Sequence, residues 1–217
     1  MMISPEAFYE DRLKGKTKEE IMTVIRGLKN EIGRLKNIVE NPFYDSREVA
    51  MCPSEHTQIS CSRLYLERAK QALKEVGGEY IPSAAEKKAM EFNDNIPYVK
   101  KVVFSIGGYF GGYETKTYTI DGDKVRVSVS RTLDTDPSDE NGKNEEMDKD
   151  DFLDHLDSLN IGEWRRKYDT FRFGCAVMDG TQWHLEIYFS NGHRPVKFHG
   201  SNAYPYNFDS ALDLFGN

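Results

Sequence analysis

The sequence predicts an α+β protein: an N-terminal helical hairpin module followed by a twisted antiparallel sheet of about six strands with one or two packed helices. Three observations predict it. Apolar residues in the first half recur at helical spacing. From Tyr98 onward the period changes to two. Asp121-Gly122, Asp179-Gly180 and Asn191-Gly192 then punctuate the second half with dipeptides that supply the positive φ angles of tight hairpins. The 217 residues suit one large domain or two small ones. The change of period divides them into a helical module over 1–96 and an antiparallel α+β domain over 97–217, with an acidic loop at 134–150.

Each element has its own signal. Thr17 with Glu20 forms a capping box, in which each side chain satisfies an orphan amide of the first turn. Ile21, Ile25, Leu28, Ile32, Leu35 and Val39 follow at spacings of 4, 3, 4, 3 and 4, one apolar stripe on a long helix. Asn41-Pro42 ends it, because the residue before proline is pushed out of the helical region. A loop to about residue 60 leads to a second helix over 62–76, stopped by Gly77-Gly78. Ser83 caps a third helix over 84–93. The strands "VKKVVFSI", "YETKTYTI", "KVRVSVS", "FRFGCAVM", "TQWHLEIYF" and "RPVKF" come next, with a helix over 149–159 among them and a short helix over 207–214 at the end.

Register can be read further. A two-residue turn at Asn191-Gly192 sets Ile187 against Val196 and Leu185 against Phe198, with Glu186 on Lys197 and His184 on His199 across the other face. A one-residue slip would oppose apolar to polar throughout. At Asp179-Gly180, a three-residue loop sets Cys175 against Trp183 and Phe173 against Leu185. The expected core includes Ile25, Leu28, Ile32, Leu35, Trp164, Trp183, Leu185, Ile187 and Phe198.

Composition narrows the function. The net charge is −7, so the surface as a whole is no footprint for nucleic acid. Residues 134–157 hold eleven carboxylates against two lysines, a net −9, which leaves +2 for the rest. No apolar run is long enough to span a bilayer, and the first residues lack the apolar core of a signal peptide. A cytoplasmic location is expected, where Cys52, Cys61 and Cys175 remain free thiols.

Several stretches invite a chemical reading. "GGYFGG" (107–112) has nearly the spacing of a phosphate-cradling loop, but strands flank it and the lysine and Ser/Thr of such a loop are missing. A glycine-bent hairpin presenting Tyr109 and Phe110 is expected instead. Cys52, His56 and Cys61 are zinc-type ligands at a spacing that matches no common site. His184 and His199, with Glu186 on the same face, are the candidate acid/base or metal-binding set on the sheet. No nucleophile elbow, zinc-protease or dinucleotide motif is present, and no cofactor is expected. The first helix admits two readings. Its stripe packs on the second helix, or it forms a parallel dimer in which Glu31 meets Lys36 of the other chain. Basic residues from Arg12 to Lys36 would allow phosphate contacts, diluted by Glu19, Glu20 and Glu31. The acidic residues Asp134, Asp136, Asp139, Glu140, Glu145, Glu146, Asp148, Asp150, Asp151 and Asp154 are candidates for engaging a protein partner with a basic groove, since closely spaced carboxylates imitate phosphates.

The segments "IGEWRRKY", "DGTQWHLEIYFSNG" and "GSNAYPYNF", with "LKGKTKEEIMTVIRGLKNEIGRLKNIVE" near the start, resemble a family of small proteins frequent in gut clostridia and their mobile elements. No activity is established for that family, so the resemblance transfers no catalytic residue. It implies an accessory protein, and proteins of such elements include antagonists of bacterial defence, anti-CRISPR proteins among them. The expected function is therefore a non-enzymatic interaction protein that inhibits a nucleic-acid-handling complex through an acidic surface. An enzyme using His184, Glu186 and His199, and nucleic-acid binding through the first helix, are the alternatives.

Overall fold

The computed structural model describes residues 3–44, 53–132, 145–175, 177 and 179–215, with Glu145 described in its backbone alone. The chain divides into two compact units, 1–82 and 83–217.

The first unit is helical: α1 (Pro5–Arg12), α2 (Lys18–Val39) and α3 (Glu55–Glu75). The capping box at Thr17 forms, with Glu20 N donating to Thr17 Oγ1 at 3.3 Å and Thr17 N donating to Glu20 Oε2 at 2.8 Å. Ile21, Ile25, Ile32 and Leu35 are buried, and α2 packs on α3, so the stripe is covered within the chain. Leu28 is half-buried rather than core. Helix α3 starts seven residues earlier than its apolar pattern predicts, because Ser54 rather than a later residue caps it, accepting from Thr57 N at 3.4 Å. Its end is a Schellman turn, with Gly78 N bonded to Leu73 O at 2.8 Å, Gly77 N bonded to Lys74 O at 2.9 Å and Gly77 at φ +73°. Glu55 is buried at the start of α3, where Tyr44 donates to its carboxylate at 2.6 Å. That bond pushes the Tyr44 hydroxyl up to about 12.

The second unit holds α4 (Ala84–Asn95), β1 (Val99–Gly108), β2 (Gly112–Asp121), β3 (Lys124–Arg131), β4 (Glu145–Asp148), α5 (Lys149–Ser158), β5 (Lys167–Asp169), β6 (Gln182–Phe189), β7 (Val196–Ser201) and α6 (Phe208–Phe215). The seven strands form one sheet in the order β4-β3-β2-β1-β6-β7-β5. All neighbours are antiparallel except β5, which runs parallel to β7. The fold is thus α+β, with N-terminal helices ahead of a mixed sheet.

The division falls at 82/83 rather than 96/97 because α4 belongs to the sheet. Its Phe92 enters the apolar cluster and meets Phe189 edge-on at 6.2 Å. Gly162 also approaches α4 so closely that a Cβ there would lie 2.8 Å from Ala89 O. Helices α5 and α6 feed the same cluster. Phe152 stacks on Tyr118 at 5.4 Å, and Phe215 stacks on Phe104 at 4.8 Å.

Strands β6 and β7 have the predicted register: Ile187 opposite Val196, Leu185 opposite Phe198, Glu186 opposite Lys197 and His184 opposite His199. "FRFGCAVM" is not a strand. Residues 170–173 form a 3₁₀ turn, and Phe171 is exposed. Its intended partners are taken: Trp183 lies between Ile106 and Gly200, and Leu185 between Phe104 and Phe198, so β6 has a strand on each side. Asp179-Gly180 therefore makes no hairpin. Asn202 fills its concavity, accepting from Thr181 N at 2.9 Å and donating to Asp179 O at 3.1 Å. The predicted acidic loop ends early, since residues 145–148 pair with β3 and Met147 packs against the cluster.

Trp183 is fully buried at the centre of this unit. Its Nε1 donates to Ala203 O at 3.0 Å, and Gly200 lies opposite it on β7. A Cβ at residue 200 would fall 2.1 Å from that nitrogen and 2.6 Å from Ala203 O. Gly200→Ala is expected to destabilise the protein by about 1–3 kcal/mol through overpacking, read as a lower urea midpoint with an unchanged slope. Tyr44→Phe, which strips the hydroxyl from a buried carboxylate, is expected to cost about 1–3 kcal/mol in a helix-monitored melt.

Candidate functional site

Helix α5 is positioned by its two buried residues, Phe152 and Leu156, and started by Asp148. The Asp148 carboxylate accepts from Asp150 N at 2.9 Å and Asp151 N at 3.4 Å. Asp150 and Asp151 lie in the first turn, where the helix dipole favours negative charge. These three carboxylates therefore have a structural reason to be there.

Asp154, Asp157 and Asp213 do not. All three are exposed, and among the described residues none has an ion-pair or hydrogen-bond partner for its carboxylate. Asp157 sits in the last turn of α5, the end of the dipole that disfavours a carboxylate. Asp150, Asp154 and Asp157 follow at spacings of 4 and 3, which puts like charges on one face at a cost of a few tenths of a kcal/mol per pair.

Two open depressions flank the helix. One, of about 620 Å³, is walled by Met147, Asp148, Asp151, Asp154, His155 and Asp213, among others. The other, of about 480 Å³, is walled by Asn93, Ile96, Asp150, Leu153, Asp154 and Asp157, among others. Asp154 belongs to both. The predicted acidic residues Asp148, Asp150, Asp151 and Asp154 thus share one ridge. Glu146 lies on β4 within 4.0 Å of Arg126, and Glu145 is paired with Val127. Asp134, Asp136, Asp139 and Glu140 lie outside the described residues. Asp157 and Asp213 were missed. Asp157 could have been found as a carboxylate at the wrong end of a helix. Asp213 had no signal, because only the fold brings α6 beside α5.

The other candidate set occupies the sheet face opposite the apolar cluster. His184 and His199 face each other across β6 and β7, with ring centroids 6.2 Å apart and planes inclined by 28°. Glu186 is not a third member of that pair. Its carboxylate accepts from Lys197 Nζ at 2.8 Å and from the Tyr188 hydroxyl. Those bonds, Lys197 first, hold Glu186 below the usual carboxylate range. Burial, and then the neighbouring His199, lower the His184 pKa from its ordinary 6.5, partly offset by Glu186.

The cysteine–histidine set does not assemble where it is described. His56 and Cys61 both ride on α3, five residues apart and so on different faces, and Cys61 lies inside the helix rather than at its start. Cys52 lies outside the described residues, which contain no group of three or more His, Cys, Asp or Glu side chains able to hold a metal ion. No described helix is long and apolar enough to cross a membrane. The glycine-rich stretch is the tip of the β1–β2 hairpin, with Gly108 paired to Gly112. A Cβ at Gly107 would lie 2.1 Å from Gly112 O, so the glycines serve close backbone approach. Tyr109 and Phe110 protrude from it, edge to face at 5.2 Å.

The chain matches no protein-family model, no curated protein and no solved structure.

Two of the shifted groups on the sheet face, His184 and Glu186, set a pH dependence on the acid side. As pH falls below about 6.5, an unfolded chain protonates at His184 before the folded one does, so stability declines. Glu186 contributes fully above its ordinary 4.5, and that contribution is lost as pH falls through its lower folded-state value. Unfolding free energy is therefore expected to fall in two stages on acidification. His184→Gln removes the upper stage. His199→Ala raises the His184 midpoint seen by NMR.

Proposed function

We propose that the protein is a non-enzymatic interaction protein whose α5 ridge engages a positively charged protein surface. The observation that carries this reading is the set Asp154, Asp157 and Asp213: exposed carboxylates without a described counter-charge, the last two in the final turns of their helices, where the dipole opposes them. A local rule broken without local compensation is the pattern expected at a working surface. The depressions on either side are open and suit contact with another macromolecule more than enclosure of a small substrate. Carboxylates spaced along a helix present charge much as a phosphate backbone does, and a basic groove would be drawn to them with a strong salt dependence. A partner that handles nucleic acid fits this chemistry. The resemblance to mobile-element proteins points to a defence complex as that partner, with inhibition by occupation of its groove.

The test separates binding from folding. Asp157→Lys places a cation where the dipole favours one and is expected to stabilise α5 by about 0.3–1 kcal/mol. The same change, combined with Asp154→Lys and Asp213→Lys, is expected to abolish capture of the partner from host lysate and to slow association with it at least about tenfold at low salt. Asp148 is left in place because it caps the helix. Undiminished capture by the triple variant, or capture that added salt does not weaken, overturns the reading.

A further inference from the structure

We propose that His184 and His199 form a two-imidazole site for a divalent transition metal of the copper, nickel and zinc class. Three observations carry it, all independent of the acidic ridge. The residues are directly opposite on adjacent antiparallel strands, so both side chains leave the same face at the same level. Their rings are 6.2 Å apart and nearly parallel, and both residues are exposed. Among the described residues neither ring has a hydrogen-bond partner, whereas His193 is occupied by Arg194 O at 2.8 Å and Glu91 at 3.4 Å.

The surroundings suit a cation. Lys167 is opposite His199 but pairs with Asp169 at 3.0 Å, and Lys197 pairs with Glu186 at 2.8 Å, so each flanking positive charge has its own carboxylate. Ser105 lies opposite His184 on the other side, and its hydroxyl oxygen, which accepts from Thr115 at 2.9 Å, keeps a second lone pair to accept from a metal-bound water. Imidazole nitrogens bind such metals at about 2.0–2.1 Å, which requires the rings to turn toward each other about their χ bonds. Two protein ligands leave the remaining positions to water or to donors on another molecule. Copper(II) binds most tightly, following the general order of divalent affinities. Neutral imidazole is the ligand form, so acid releases the metal.

The test uses the full chain titrated separately with copper(II), nickel(II) and zinc(II). One copper ion per chain is expected, with nitrogen superhyperfine splitting from two imidazoles in the EPR spectrum. Binding weakens on acidification, because only neutral imidazole is a ligand. In NMR, substoichiometric copper broadens the ring signals of His184 and His199 before those of His56, His155 and His193, a readout that needs no variant. His184→Ala and His199→Ala each lose at least the roughly 10- to 100-fold that even an outer-sphere partner contributes, while His155→Ala and His193→Ala bind as the native chain does. No stoichiometric copper binding, unchanged affinity in the double alanine variant, or first broadening at another histidine overturns the proposal.

Discussion

The Trp183 indole is the constraint on which the second unit depends. It is buried, tied to Ala203 O, and admitted only because residue 200 on the neighbouring strand has no side chain. Trp164 meets its edge at 6.1 Å, and Phe208 approaches within 4.9 Å, so segments distant in sequence converge on one ring. With Trp183 facing inward, strand alternation sends His184 outward, and Phe198 does the same for His199. The exposed imidazole pair is thus a geometric by-product of the best-packed part of the core. The backbone that carries the two imidazoles is thus anchored by the buried side chains of Trp183 and Phe198 on its other face.

Within a few residues the acidic segment divides between carboxylates that the helix uses and carboxylates that it does not. Asp148 caps a helix, Asp150 and Asp151 favour its first turn, and Phe152 and Leu156 hold it down. Asp154 and Asp157 continue the same charge past the point where the helix benefits. Sequence charge alone cannot separate these roles, because both kinds of carboxylate look alike in a count. Position relative to the dipole separates them.

What was legible in the sequence follows the range of the interactions responsible. Capping at Thr17, the glycine stop at Gly77-Gly78 and the β6–β7 register are set by neighbours within a hairpin or a turn, and all were readable. The turn at 170–173 was misread because its strand-like pattern competes with β1 and β7 for the edges of β6, and a local window does not contain the competitors. Strand β5 has three residues and a parallel partner more than thirty positions away, too short for any period. Helix α4 was grouped with the preceding helices by its shared period, whereas Phe92 commits it to the sheet. For the candidate sites, the cross-strand histidines and the Asp148–Asp154 stretch were visible from spacing. Asp213 was not, since only packing of α6 beside α5 brings it there.

The placement of the indoles has a practical outcome. Both tryptophans of the chain, Trp164 and Trp183, lie within residues 83–217, and both are buried. Intrinsic fluorescence excited at the red edge therefore reports on that unit alone, while far-ultraviolet ellipticity weighs heavily toward the long helices of residues 1–82. Overlaying the two signals through one denaturant series distinguishes a single cooperative transition from two, with no label attached and no residue changed.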